Sequence, residues 1–469
     1  MRNPAIRRSI SDSGGYGALQ QMSIPRMAHS APLPLSRLPG RIVQARPSEL
    51  RGALLAFSCN FILLASYYIL RPLRDTMATV FGVAELQNLF TGTFVITLIC
   101  APIFAWCAAN IRLTRLLPGV FWFLLFDLLL FYGLFWSIPG SRWVAAAFYW
   151  WFSVVNLFLI SIFWTLMADT FSADQATRLF AFIAAGGSVG AIFGPIITTA
   201  FVRTIGITGL LLAACLGFLA VILLVHLLMR EKMHLQQAGT GAQSTTLDHS
   251  LPGNPLRGFT LLFQSRYLLG QATFFLLMTW VATLLYFLQA DFVARTYSAV
   301  ESRAIAFADV DLFVNICSAL ILILGQGWVL RRLGVTFGLA LSPLLMAGAF
   351  LALALAPTFI VIQSARALQR ISQYAIARPS REVLFTVVDQ QSRYKAKNVI
   401  DTSVYRFGDL TAAWLQAGLR AAGFGLLAVA TFGIMVAAAW GVVAVAIGRR
   451  YQKLAGQEQG VVLERPVEA

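Results

Sequence analysis

Apolar runs of bilayer length recur along this chain, and no other feature narrows the fold as much. One helical crossing takes roughly 20 consecutive apolar residues. About twelve runs of that size are present. The first six cover 51–71 (or on to 79), 86–109, 117–138, 143–168, 179–202 and 207–229. The second six cover 267–292, 305–330, 336–356, 358–377, 399–419 and 425–447. Only 12% of the 469 residues are charged, against about 25% in a soluble domain. The expected class is therefore an all-α integral membrane protein.

The polar stretches divide the chain. Residues 1–50 are Arg-rich with almost no acid, which predicts a disordered cytoplasmic tail, too polar for a cleavable secretory signal. Residues 231–266 read as a cytoplasmic linker and 449–469 as a second tail. Between them lie two halves, 51–230 and 267–448. Lys and Arg crowd one set of connections, among them Arg112, Arg115, Arg178, Arg230, Arg331, Arg381, Arg393 and Arg449. By the positive-inside rule this side, with both termini, faces the cytoplasm. The formal charge of +16 thus reports topology. It forms no single patch of the kind nucleic acid needs.

The halves echo one another. The connections 168–180 and 388–397 each offer Asp, a polar turn and then bases, and the Arg-bearing loops at 111–115 and 330–334 also correspond. Two repeated six-helix halves are the architecture of major facilitator transporters, whose site lies between the halves near the midplane.

A charge at the centre of a spanning helix costs roughly 2.5–3.5 kcal/mol on insertion scales, so such residues mark cavities and paths. The first run closes on Tyr67, Tyr68, Arg71, Arg74 and Asp75. Residues three and four apart share one side of a helix, so Arg71, Arg74 and Asp75 form one cluster. Counted from residue 51, Arg71 lies about 30 Å along at 1.5 Å per residue. Snorkelling to the interface and cavity lining both remain open, as do an aromatic belt and ligand stacking for the two tyrosines. Arg366 and Arg370, one turn apart, lie about 12 and 18 Å into their span. Asp401, Arg406 and Asp409 share another span. Asp127 stands halfway through the third, as a partner for an arginine or as a protonatable coupling group. The expected site is substrate-binding through Tyr67, Tyr68, Arg71, Arg74, Arg366, Arg370 and Arg406. Asp75, Asp127, Asp401 and Asp409 would pair charge or couple. The surplus is positive, and Arg suits bidentate binding of phosphate or carboxylate. The expected partners are a small anionic solute and the bilayer.

No enzymatic motif appears: no Walker A sequence, no His/Glu zinc motif, no Gly-x-Ser-x-Gly. No catalytic residue, metal ligand or cofactor is expected. The five Cys, at 59, 100, 107, 215 and 317, fall in apolar runs and read as small hydrophobes. Gly186, Gly190 and Gly194 repeat every four residues, for tight helix packing or for a moving contact between halves.

Three stretches carry a resemblance. Leu70-Arg71-x-x-Arg74-Asp75 resembles the Leu-Arg-x-x-Lys-Asp signature of the ATP:ADP antiporter (nucleotide transporter) family of plastids and intracellular bacteria. Phe163-Trp164 is similar to that family too. Arg393-Tyr394-Lys395-Ala396-Lys397-x-x-Ile400-Asp401 resembles its Lys-Tyr-Lys-Gly-Lys-x-x-Ile-Asp motif, and Arg406-Phe407-Gly408 its Arg-x-Gly. The resemblance implies a major-facilitator fold and exchange of nucleotides or related phosphorylated anions. Departures are plain: 273–290 carries no charge, and Asp409 stands where the family tends to have Lys. The expected function is secondary transport of an anionic solute by alternating access. The rivals are a non-transporting sensor or scaffold on the same fold, and a lipid or lipid-precursor translocator with a side opening.

Overall fold

Each apolar run is a helix, because a backbone with no water around it must satisfy its own hydrogen bonds. The computed structural model describes Arg46 and residues 49–111, 113–237, 257–324 and 326–463. The tail expected at the N-terminus, up to 45, lies outside the described residues, as do 238–256 of the linker and 464–469 of the second tail. All described residues belong to one unit, Ala45–Ala469. Every regular element among them is helical. The first half comprises α1 (Leu50–Phe81), α2 (Leu86–Asn110), α3 (Leu113–Ser137), α4 (Arg142–Thr170) and α5 (Ala173–Gln237). A short α6 (Arg257–Gln264) precedes α7 (Arg266–Thr296), α8 (Val300–Leu324) and α9 (Gln326–Leu355). Then come α10 (Phe359–Ser372), α11 (Arg378–Leu384), α12 (Gln390–Val399), α13 (Tyr405–Ala421) and α14 (Leu426–Leu463).

Among the described residues, nine helical segments are long and apolar enough to cross a membrane. One of them, α5, breaks at Gly206 with φ 68°, a left-handed conformation that glycine adopts without a Cβ clash. It therefore supplies two crossings. The remaining pair are α10 with α11 and α12 with α13, each joined through a π-turn, Gln373–Ala377 and Ile400–Val404. Their helices, of 14, 7, 10 and 17 residues, are each too short to cross alone. The structure is thus the all-α, two-half architecture expected.

Each half has its own apolar core, one built on α1, α3, α4 and α5 and one on α7, α9, α10 and α14. A third cluster joins them where α1 and α7 end: Ala78, Phe81, Leu86 and Leu89 meet Tyr286 and Phe287. Polar ties run along the same side. Trp414 Nε1 donates to Thr91 Oγ1 at 3.0 Å and Arg420 Nη1 to the Val83 carbonyl at 3.1 Å. Thr199 Oγ1 donates to Asp309 at 3.2 Å and Asn315 Nδ2 to the Ala191 carbonyl at 2.6 Å, stitching α5 to α8. Toward the opposite, Lys/Arg-rich end a cavity lies between the halves.

The glycine row of α5 packs within the first half. A Cβ on Gly186 would stand 2.5 Å from the Phe57 carbonyl oxygen, and one on Gly194 2.6 Å from that of Ala65. Both oxygens belong to α1, so these glycines let two helices of one half approach closely. They are not the contact between halves.

At the basic end, Glu49 just ahead of α1 clamps that helix to the start of α5. Its carboxylate accepts from Arg178 Nη1 at 2.9 Å and Nη2 at 3.0 Å, from Gln175 Nε2 at 3.3 Å and from the Arg46 amide at 3.0 Å. The Arg178 hydrogen bonds, against the opposing effect of burial, hold Glu49 down from its ordinary 4.5 to about 2. A carboxyl depressed in the fold stabilises the fold fully above its unfolded value and loses that contribution as pH falls through its folded one. The melting difference between the wild type and Glu49→Gln is expected to be constant above about pH 5 and to shrink steadily below it. A difference that holds undiminished down to about pH 3 would remove the clamp from the account of stability.

Candidate functional site

A cavity of about 610 Å³ opens between the halves and reaches the basic end. Its wall carries six cations, Arg74, Arg366, Arg378, Arg381, Lys397 and Arg406, against three carboxylates, Glu382, Asp401 and Asp409. Tyr149, Tyr286, Tyr405, Phe90 and Phe275 supply aromatic surface. Arg74 comes from the first half and the other cations from the second.

The helices that bring these groups here are polar on one stripe. On α10, buried Gln369 accepts from Arg366 Nη1 at 2.6 Å and donates to Gln373 at 2.7 Å, while Gln363 accepts from Gln289 at 2.7 Å. Such a ladder satisfies polar groups that would otherwise be costly to bury. Each π-turn inserts one residue and so rotates the helix beyond it; π-turns recur at functional sites. Arg378 comes directly after the first and Arg406 just after the second, and Asp401 lies within the second.

Pairing separates the cations. Arg74 Nε donates to Asp75 Oδ1 at 2.9 Å, and Tyr286 donates to the same oxygen at 3.2 Å from the other half. Arg381 lies 2.7 Å from Asp401, and Lys397 lies 2.5 Å from Glu382. Arg406 stands 3.8 Å from Asp409, beyond hydrogen-bond reach, and donates to the Ser153 carbonyl at 3.1 Å. Asp409 accepts from Thr283 Oγ1 at 2.9 Å. Arg366 reaches the Ala282 carbonyl at 3.0 Å, lies over the Tyr286 ring, and keeps a buried Nε without an acceptor. Arg378 stacks on Tyr374 at 4.9 Å. Neither Arg366 nor Arg378 has a carboxylate partner among the described residues.

The other expected residues fall elsewhere. Arg71 neither snorkels nor lines the cavity. It turns inward, with Nη2 3.4 Å from the Tyr374 hydroxyl and Nη1 3.9 Å from Asp311. Arg370 is buried in an ion pair with that same Asp311. Arg71 and Arg370 therefore share one buried carboxylate on α8, a residue the sequence reading did not pick out. Tyr68 lies under Arg71, 5.6 Å from its guanidinium. Tyr67 does not line the cavity: it is buried in the first-half core, stacked on Phe152. Asp127 has no arginine partner among the described residues. It accepts from the indole of Trp151 at 2.8 Å, outside the cavity.

The motif 393–401 is held by this same geometry. Arg393 Nη2 donates to the Thr386 and Val388 carbonyls at 3.2 and 3.0 Å, Ala396 and Ile400 are fully buried, and Lys397 and Asp401 take the pairs above.

Two helical halves around a charged central cavity, tied at one end and parted at the other, match a known family. The Major Facilitator Superfamily model matches residues 56–385. The chain belongs to the Major Facilitator Superfamily. That family is one of secondary transporters built from two repeated halves. No curated protein matches this chain in sequence. Solved structures match its fold. A POT family transporter in complex with a thioalcohol conjugated peptide has a TM-score of 0.58 at 13% identity, covering 86% of this chain and 96% of that one. The nucleoside transporter NupG gives 0.57 at 14%, covering 86% and 98%. A bacterial homologue of the iron transporter ferroportin, inward-facing, gives 0.57 at 13%, covering 84% and 99%. At these identities the likeness concerns the fold of this major facilitator.

Proposed function

We propose that this protein is a secondary carrier of a small, phosphorylated anion. The observation that supports it is the cavity wall, where Arg74 of one half faces Arg366 and Arg406 of the other and cations outnumber carboxylates. An arginine fork binds phosphate oxygens in pairs. Arg366 and Arg378, which have no carboxylate partner among the described residues, are the natural first contacts for such a ligand. The halves 51–230 and 267–448 would rock about it, and Arg74 and Arg406 would trade their protein partners for ligand oxygens. The basic end, and with it the open mouth and both termini, faces the cytoplasm of a bacterial inner membrane in this reading.

The resemblance to ATP:ADP antiporters makes nucleotides the first solutes to try. A wall with Tyr149, Tyr286 and Tyr405 beside the arginines suits a planar base. Purified protein screened against nucleotides, sugar phosphates and carboxylates is expected to melt higher with a phosphorylated anion. A ligand at about 100 times its Kd stabilises the folded state by about 2.7 kcal/mol. If no anion moves the melt, the scaffold reading gains; if only carboxylates do, phosphate is dropped.

A further inference from the structure

A second cavity, of about 260 Å³, lies between α1, α4, α5 and α8. Its wall is mostly apolar: Leu63, Leu64, Phe163, Trp164, Ala319 and Leu322. It lies where the two halves part. The α5–α8 stitches stop at Ala191 and Asn315, both of which line it. On the basic side of that pair, Ser188 and Leu322 line the cavity and are exposed. In a membrane-spanning bundle, a gap between outer helices faces lipid.

This cleft adjoins the charged cavity. Ile160 lines both, and Tyr68 in the cleft wall stacks beneath Arg71. One wall group also lacks a partner: Ser318 is 7% exposed and its hydroxyl makes no hydrogen bond. A buried polar group with spare capacity in a native fold calls for a partner such as water or ligand.

We propose that the anion carried here has an acyl chain. It is a single-chain membrane phospholipid whose phosphate rests on the arginines and whose tail lies in the α1–α4–α5–α8 cleft. The proposal rests on the reading that the arginines hold an anionic headgroup. A fully polar solute has no use for an apolar branch opening sideways. An amphiphile matches both chambers in chemistry: cations for the head, leucines and aromatics for the chain, and the Ser318 hydroxyl of the cleft wall for an ester carbonyl. The parted helices let the tail stay in lipid while the head enters the protein.

The test compares glycerol phosphate with its hexanoyl and octanoyl esters, all water-soluble, on the purified full-length protein. Affinity is expected to rise about threefold or more for each two carbons, since each buried methylene is favourable. In Ala319→Phe, which fills the cleft, the chain-length gain should vanish while glycerol phosphate binds as before. An octanoyl phosphate ester with a photoreactive chain end should label α5 and α8 near the cleft, a readout that needs no variant. Glycerol phosphate binding without any chain-length gain would overturn the tail site and leave the anion reading standing. So would a gain that survives in Ala319→Phe, or labelling confined to other helices. Stabilisation by uncharged octanoyl glycerol equal to that of the phosphate ester would also overturn the proposal, because the head would then not be on the arginines. If neither glycerol phosphate nor its esters bind, the tail site falls; the anion reading falls with it only if the wider screen is also blank.

Discussion

Arg370→Ala is expected to destabilise the protein by about 3–5 kcal/mol, the cost of leaving one partner of a buried ion pair alone. Asp311 is 1% exposed and Arg370 5%. Without Arg370, the nearest cation to Asp311 is Arg71 at 3.9 Å, too far to hydrogen-bond. The Asp311 Oδ2 and the Arg370 Nε and Nη2 already lack partners, so the pair has no reserve of neutral donors or acceptors. The companion variant separates charge from packing. Arg370→Met with Asp311→Leu removes both charges and fills the space with apolar atoms, and replacing a buried pair in this way is often neutral or stabilising by about 1–4 kcal/mol. Part of that is forfeited here, because Arg71 loses the carboxylate 3.9 Å from it. The double variant should therefore melt above Arg370→Ala and below the wild type. Thermal unfolding of the wild type, the single and the double variant in one detergent reads this directly. A single variant that melts with the wild type would mean that water, not Arg370, compensates Asp311.

The sequence rule that flags charges inside apolar runs picks out α1, α10 and α13, each of which puts a charged residue on the cavity wall, because depth along a helix comes from residue count. It gave less on rotation. Arg366 and Arg370 differ by only one turn, yet one lines the cavity and the other is locked to Asp311. Tyr67 and Tyr68 are adjacent, yet Tyr68 lies under Arg71 while Tyr67 stacks on Phe152 in the first-half core. Asp127 sits on a helix that is apolar nearly all round, so nothing in its neighbours said which way it would turn. Asp311 was legible by the same rule, being a carboxylate in the middle of an apolar run. Arg381 reads as a topology base at a helix end, and Arg378 is not picked out. Their entry into the cavity depends on a π-turn, for which the sequence has no periodic signature. The glycine row shows the same limit: its spacing announces a close helix contact, but which helix it meets depends on the tertiary arrangement.

Arg366→Ala should have the opposite profile to Arg370→Ala. Arg366 donates to a carbonyl and an amide oxygen and balances no carboxylate among the described residues. These are charge-assisted bonds to neutral acceptors, worth about 1.5–3 kcal/mol each, but removing a buried cation that no carboxylate balances also removes its desolvation cost, so the variant should melt near the wild type. Hydrogen bonds to a charged ligand are worth about 1.5–3 kcal/mol, and each 1.4 kcal/mol is about tenfold in affinity. Loss of Arg366 is therefore expected to weaken phosphate-ligand binding by roughly 10- to 100-fold. Arg366→Lys keeps the charge but loses the planar fork, and should recover only part of that affinity. The readout is the ligand-induced rise in melting temperature over a concentration series, which separates binding from intrinsic stability. A scaffold with no ligand would show the reverse order, with Arg366→Ala silent in every binding assay. An Arg366→Ala protein that binds the phosphorylated anion as tightly as the wild type would take the cavity's least-paired buried cation out of recognition, and with it the carrier mechanism built on these arginines.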